Sequence, residues 1–133
     1  MRTGIVYGLV CPIKNRVVYV GQTTKKLEYR LSAHKSPYNV TNSIYGKWIE
    51  SLRKRNKINK LTAVILEYNV PKSDLSRLEK YHIIQCYISG KCVNSMWLPK
   101  GGSKKYLIPH MMDYANRLKP TTDIGVTIQL VKP

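Results

Sequence analysis

One carboxylate lies on the apolar face of a predicted helix. Glu79 comes four residues after Leu75 and four before Ile83, within their stripe of apolar side chains. A carboxylate on the buried side of a helix costs several kcal/mol unless it is paired, protonated or bound to a cation. Two interpretations stay open. Glu79 forms an ion pair with Lys or Arg at the core edge, or it binds a hard divalent cation whose other ligands are water and phosphate oxygens.

Two polar residues lie one turn apart on another predicted helix. Arg30 and His34 are an i, i+4 pair beside the apolar stripe of Leu27 and Leu31. Taken singly, they are explained as a solvated Arg and a His at the core edge. Together they suit phosphodiester cleavage, because Arg binds phosphate oxygens in a bidentate way and imidazole passes a proton or orients water.

Two tyrosines occupy a predicted β-hairpin. Tyr7 and Tyr19 lie in β-rich runs separated by Cys-Pro-Ile-Lys-Asn, and the alternation of side chains predicts both phenols on one face. Packing against a helix is the ordinary role of such residues. With an unperturbed pKa of ~10, a phenol is a poor base unless cations lower that value. Nearby cations are Arg30, Lys25 and Lys26.

The elements that must position these residues alternate between strands and helices, which is typical of a mixed α/β domain. The predicted elements are strands at 3–10 and 16–21, a helix from an N-cap at Thr23 or Thr24 to His34, a helix at 43–55 with Ser43 first, a central strand at 61–68, a helix from an N-cap at Ser73 to Ile88 before Gly90, a helix at 108–118 and a strand at 125–131.

The composition allows one domain and favours a polyanionic partner. The chain has 133 residues, 43% of them hydrophobic, with no apolar run near the ~18 to 20 residues of a membrane span. Lys and Arg number 23 against 7 Asp and Glu, a formal charge of +16, so we expect nucleic acid and no membrane as partner. The three cysteines lack C-x-x-C spacing, which argues against zinc or a disulfide framework. Because residues 1–4 lead straight into a predicted strand, we expect an unsecreted, cytoplasmic protein, in the host cytoplasm if a phage or virus encodes it.

Clustered basic residues are expected to contact the nucleic-acid backbone. Such contacts add affinity without sequence information. A solvated basic surface is the alternative, and the net charge argues against it. The candidates are Lys47, Arg53, Lys54 and Arg55 on the second helix, with Lys25 and Lys26 before the first.

Five short motifs in order carry a family resemblance. Over residues 3–102 the chain resembles a GIY-YIG endonuclease, a small stand-alone member of that family. The matching motifs are Ile5-Val6-Tyr7, Tyr19-Val20-Gly21, Leu27-x-x-Arg30-Leu31-x-x-His34, Leu78-Glu79-x-x-x-Ile83 and Cys92-Val93-Asn94.

The resemblance implies an α+β fold, with a small three-stranded antiparallel sheet flanked by helices at 1–98 and a short extension at 99–133. It implies an enzyme that hydrolyses DNA phosphodiester bonds with one Mg²⁺ or Mn²⁺ ion held by Glu79. Tyr7 or Tyr19 would deprotonate the attacking water, Arg30 would stabilise the phosphate charge, and His34 would assist. Gly21 would let the backbone turn close to the site, and Asn94 would brace it. Gln22 would remove one phosphate contact that a basic residue makes in some members.

Other functions stay open beside the nuclease. A catalytically silent module of the same fold would use the basic surface to bind DNA or RNA, and a ribosomal type of protein would prefer structured RNA. A two-metal mechanism is disfavoured, because only Glu79 is well placed among 7 acidic residues. A homodimer on DNA is compatible with the small size of the chain.

Overall fold

Four strands, three α-helices and one 3₁₀ turn are present in the part of the chain that the structure describes. The computed structural model describes residues 3–37, 42–90 and 92–94, and the backbone of 129–131. The elements are β1 (Thr3–Cys11), β2 (Arg16–Thr23), α1 (Leu27–Lys35), α2 (Ile44–Lys54), a 3₁₀ helix (Ile58–Lys60), β3 (Thr62–Pro71), α3 (Lys72–Ser89) and β4 (Gln129–Val131).

The strands form one antiparallel sheet in the order β2-β1-β3-β4. The hairpin of β1 and β2 turns at Asn15, whose φ of 55° lies in the left-handed region that Asn tolerates. Three long strands flanked by three helices confirm the predicted α+β fold. The short β4 adds a fourth strand, and it lies within the strand predicted at 125–131.

The sheet is covered by helices on both faces. On one face, Tyr7 and Leu9 of β1 pack with the apolar sides of α1 and α2. On the other face, Val6 and Val20 pack with α3 through Leu78 and its neighbours. This arrangement follows from the period of two along β1, which sends Tyr7 to the α1–α2 side and Val6 to the α3 side. None of the helices in the described ranges has the length and apolar content that a membrane crossing requires.

Two predicted helix starts are wrong. The first helix begins at Leu27 after an extended Lys26, and the Thr23 hydroxyl accepts the Lys25 N–H at 3.0 Å instead of capping it. The third helix begins at Lys72, directly after Pro71 and before the predicted cap at Ser73. In both places the strand and the turn that precede the helix fix its start. The second helix begins at Ile44, one residue after the predicted start, and Ser43 is its N-cap, since the Ser43 hydroxyl accepts the Gly46 N–H at 3.0 Å.

The central position predicted for the third strand applies to only part of it. β1 is paired along most of its length by β2 and β3, whereas β3 has a second neighbour only where β4 pairs with Ala63–Ile65. The helix predicted at 108–118 and the boundary at residue 98 lie outside the described residues.

Candidate active site

An imidazole and three phenols form the centre of the site. Tyr7 of β1 is 0% exposed, and its Oη lies 2.8 Å from Nε2 of His34 on α1. The other ring nitrogen of His34, Nδ1, lies 2.5 Å from Oη of Tyr45 on α2. The Tyr19 ring packs against both, with centroid distances of 5.2 Å to His34 and 5.0 Å to Tyr45. The structure therefore places Tyr7 and Tyr19 on one face of the sheet, as the side-chain alternation predicts.

Burial holds the His34 ring in its neutral form. Removal from water, with a smaller contribution from the Arg30 charge, lowers its pKa from 6.5 to about 4. At neutral pH the ring then has one N–H and one unprotonated nitrogen. His34 is 4% exposed, so it is a member of the core as well as of the site.

The two hairpin tyrosines differ in their interaction with Arg30. Burial raises the pKa of the Tyr7 phenol, but a hydrogen bond from Arg30 and its positive charge oppose that rise. Burial also raises the pKa of Tyr19, where the charge of Arg30 is the weakest influence. In return, the Tyr7 hydrogen bond raises the pKa of Arg30. Of the two phenols, Tyr7 is the one in contact with a cation.

Part of the Arg30 guanidinium has no protein partner. Its Nε is buried without a hydrogen-bond acceptor among the described residues. Buried donors are normally satisfied, so this atom calls for an explanation. Arg30 also lines an open cleft of about 450 Å³, with Lys25 and Lys72 among the other lining residues. Donors and cations that converge on a cleft suit an anionic group.

Glu79 is half-buried on α3, and it is not part of an ion pair within the described residues. Its hydrogen-bonding partner is the side chain of Gln22 on β2, which lines the cleft and also donates to Ser76 at 3.3 Å. Burial raises the pKa of Glu79, while the Gln22 hydrogen bond and the charge of Lys80 lower it. Within the described residues, the partner of Glu79 is thus an amide and not a Lys or Arg side chain. Gln22, expected only as a lost phosphate contact, bonds the carboxylate.

Another acidic residue contacts a histidine, a pair that is ionic only when the imidazole is protonated. Glu67 on β3 is 5% exposed, and its Oε2 lies 3.1 Å from Nε2 of His82 on α3. The hydrophobic pattern of the strand gave no sign that this glutamate is deeply buried. His82 shares the Glu79 face of α3, three residues further on, but it is directed to the sheet.

Asn94 braces the exposed edge of β2. Its Oδ1 accepts the Val20 N–H at 2.9 Å, and its Nδ2 donates to the Val20 carbonyl at 2.8 Å. Both backbone groups lie on the side of β2 that faces away from β1, so Asn94 supplies the pairing that a neighbouring strand would give. Val20 stands between Tyr19 and Gly21, and the amide therefore fixes the strand at the site.

Gly21 makes room for a ring. It lies opposite Tyr7 in the β1–β2 register, and a Cβ at Gly21 would come within 2.6 Å of Cζ and Oη of Tyr7. The expected reason for a glycine here was a backbone turn close to the site, but the chain is an ordinary strand at this point. The absence of a side chain allows the Tyr7 phenol to cross β2 and reach His34.

The basic candidates fall into two groups. Arg53 is partly buried, and its guanidinium donates to the backbone carbonyl of Ser36 and pairs with Glu50 at 3.4 Å. Arg53 therefore joins α2 to the end of α1, which its sequence context did not indicate. The remaining candidates lie before α1, on α2 and at the C-cap of α2, and all are exposed to solvent: Lys25, Lys26, Lys47, Lys54 and Arg55.

Tyr45 was not among the predicted site residues. The sequence pattern in the first turn of α2 does not indicate that Tyr45 contacts His34. The contact joins two helices, and the sequence pattern does not specify how they are placed relative to each other. Its neighbours in the apolar pattern of α2, such as Trp48, only indicate that this turn faces the core.

Comparison with known proteins agrees with this geometry. The family model of the GIY-YIG catalytic domain matches residues 3–87, well over half of the chain. Neither the curated proteins nor the solved structures contain a significant match. The matched region includes the hairpin, α1 with Arg30 and His34, and Glu79 of α3, all in a nuclease-type fold. The chain therefore belongs to the GIY-YIG family.

Proposed function

We propose that the protein is an endonuclease that hydrolyses DNA phosphodiester bonds and depends on one divalent metal ion. The observation that carries the proposal is the hydrogen-bonded series Arg30–Tyr7–His34, which adjoins a cationic cleft. A structural cluster would not require a guanidinium between a buried phenol and an open cleft. This series joins a charge that can bind phosphate to groups that can handle a proton.

DNA is the proposed substrate because the cleft and its surroundings are cationic. The chain carries a formal charge of +16, and exposed lysines lie on α2 and before α1. Contacts of this kind neutralise phosphates and give affinity that decreases as salt increases. They carry no base specificity, so we propose binding that depends mainly on the DNA backbone.

The donor set fits a single Mg²⁺ or Mn²⁺ ion. The Glu79 carboxylate forms no ion pair with a Lys or Arg in the described part of the chain, and it lies beside the cleft through its bond to Gln22. No group of three His, Cys, Asp or Glu side chains that could hold a metal occurs among the described residues. Mg²⁺ is commonly bound by one or two carboxylates with several waters retained, so Glu79 would hold it. When bound, the ion would polarise the phosphate and stabilise the leaving oxygen.

The protein's own groups divide the remaining work. Tyr7 orients the attacking water and takes a proton from it as the phenol's own proton passes to Nε2 of His34, and Arg30 favours this relay because its charge lowers the cost of negative charge on the phenol oxygen. Neutral His34 accepts the hydrogen bond of Tyr7 and holds the phenol in place. The Arg30 guanidinium also faces the negative charge that develops on the phosphate. Tyr19 packs the imidazole from the side, Asn94 fixes the strand beneath it, and Gly21 leaves room for the Tyr7 ring.

A catalytically silent module that binds DNA or RNA is the second candidate. The observation in its favour is the complete burial of Tyr7, whose phenol has to meet water during hydrolysis. The exposed basic residues would serve such a module equally well. Only a cleavage assay separates the two functions.

The test is the conversion of supercoiled plasmid in the presence of Mg²⁺, Mn²⁺ or EDTA. We expect nicked or linear products with either metal and none with EDTA. Glu79→Gln should reduce cleavage at least about 100-fold, since metal stabilisation is worth several kcal/mol and each ~1.4 kcal/mol is tenfold. Salt-sensitive DNA binding by the variant should stay close to that of the wild type.

Glu28→Gln is the matched control, because it removes the same charge from an exposed position on α1. It should cut plasmid like the wild type. If wild type and Glu79→Gln are equally inert while both bind DNA, the nuclease proposal fails and the binding module is the better description.

A further inference from the structure

The partners of the Tyr7 phenol determine where its proton points. Tyr7 is fully buried, so its O–H needs an acceptor within the protein. Its hydrogen-bonding partners among the described residues are Arg30, which has only donors, and Nε2 of His34 at 2.8 Å. The Tyr7 O–H therefore donates to Nε2, and Nε2 carries no proton.

A neutral imidazole with an unprotonated Nε2 has its proton on Nδ1. Near neutral pH the His34 ring is neutral, because burial lowers its pKa to about 4. Nδ1 lies 2.5 Å from Oη of Tyr45, so Tyr45 accepts the Nδ1–H. The Tyr45 ring lies between Tyr19 and Trp48, with centroid distances of 5.0 Å and 6.3 Å, and these rings hold the acceptor in position.

We propose that Tyr45 is a positioning residue: its phenol oxygen keeps His34 in the Nδ1-protonated tautomer and so directs the free lone pair of Nε2 at the proton of Tyr7. The catalytic consequence rests on the proposed nuclease function, whereas the tautomer rests on hydrogen-bond geometry alone. Without the Tyr45 oxygen, the buried Nδ1–H would have no acceptor in the described ranges of the chain. The ring would then carry its proton on Nε2 and donate to Tyr7, which removes the acceptor that the Tyr7 proton uses.

The direct test is the ¹⁵N NMR spectrum of the imidazoles in the full chain at pH 7.5. The chain has three histidines, and the signals lost in His34→Gln assign the ring. In the wild type we expect His34 to show a protonated Nδ1 and an unprotonated Nε2. In Tyr45→Phe, which keeps the ring and removes the oxygen, we expect the opposite pattern to become the main form.

Cleavage kinetics provide the second readout. Orienting partners of functional histidines typically account for about 10- to 100-fold in activity, so Tyr45→Phe should lower kcat by at least about 10-fold with DNA affinity unchanged. Tyr29→Phe is the matched control, since this phenol of α1 is 72% exposed. It should alter neither the His34 spectrum nor kcat.

The outcomes separate this inference from the proposed function. A wild-type His34 with its proton on Nε2, or an unchanged spectrum in a folded Tyr45→Phe, overturns the positioning role. If Tyr45→Phe does not fold, the wild-type spectrum decides alone. A wild type with the expected tautomer that cuts no DNA refutes the nuclease function and leaves the tautomer assignment standing.

Discussion

The buried imidazole of His34 makes the stability of the fold depend on pH. In the folded protein its pKa is about 4, and in the unfolded chain it returns to its ordinary value of 6.5. Between these values the unfolded chain binds a proton that the folded protein does not bind. The free energy of unfolding therefore falls as the pH decreases below about 6.5, and the loss is complete below about 4.

The structure gives the size of this effect. The difference between the two pKa values, multiplied by about 1.36 kcal/mol per pH unit, is about 3 kcal/mol. Most of it, about 2.5 kcal/mol, should be lost by pH 4.5. Because His34 is only 4% exposed, screening by solvent reduces this free-energy difference very little. For a small domain that is stable by about 5 to 15 kcal/mol, the loss is large.

Urea unfolding of the wild type and of His34→Gln tests the effect. Both proteins are unfolded at pH 7.5, 6.5, 5.5 and 4.5, with circular dichroism as the readout. Carboxylates and the other histidines titrate in both, so their contributions cancel in the difference between the two proteins. We expect the stability advantage of the wild type to shrink by about 2.5 kcal/mol between pH 7.5 and 4.5. If instead the difference in free energy of unfolding between the two proteins stays constant across pH to within ~0.5 kcal/mol, His34 is not neutral and buried as described.

Two further predictions concern the strand and the basic surface. Gly21→Ala should lower the free energy of unfolding by about 1 to 3 kcal/mol through overpacking, and it should also lower kcat because the new Cβ would displace the Tyr7 phenol. The control is Gly8→Ala, whose Cβ would meet a valine side chain instead. It should lower the free energy of unfolding but leave kcat unchanged. Equal kcat losses in the two variants would contradict this. Replacing the three exposed cations on α2 and at its C-cap by Ala should reduce the slope of log K against log salt by up to about 2.7, as measured by DNA binding at several salt concentrations. An unchanged slope would remove α2 from the interface, whereas Arg53→Ala should chiefly lower the unfolding free energy. The three cations are Lys47, Lys54 and Arg55.

Local patterns were sufficient for the elements and for part of the site. The alternation of strand residues predicts that Tyr7 and Tyr19 share a face, and their packing against the same imidazole agrees with it. The i, i+4 spacing puts Arg30 and His34 on one side of α1, where both meet Tyr7. The backbone geometry of a strand or helix sets these relations, whatever the rest of the chain does.

Contacts between elements were beyond the sequence pattern. Glu67 contacts His82, whereas Glu79 accepts a hydrogen bond from the amide of Gln22. Arg53 resembles its basic neighbours in the sequence, yet it ties α2 to α1 through the Ser36 carbonyl. Tyr45 has no motif of its own. Each of these outcomes depends on how far apart two elements pack, and hydrophobic periodicity contains no information about that distance.

The sequence by itself determined the α+β class, the basic character of the surface and the faces on which the candidate groups lie, because periods of two and 3.6 residues and net charge belong to the chain alone. The tertiary structure alone decided the protonation state of His34 and the partner of Glu79. Both depend on exclusion of water and on atoms brought within about 3 Å, conditions that arise only when β1, α1, α2 and α3 pack together.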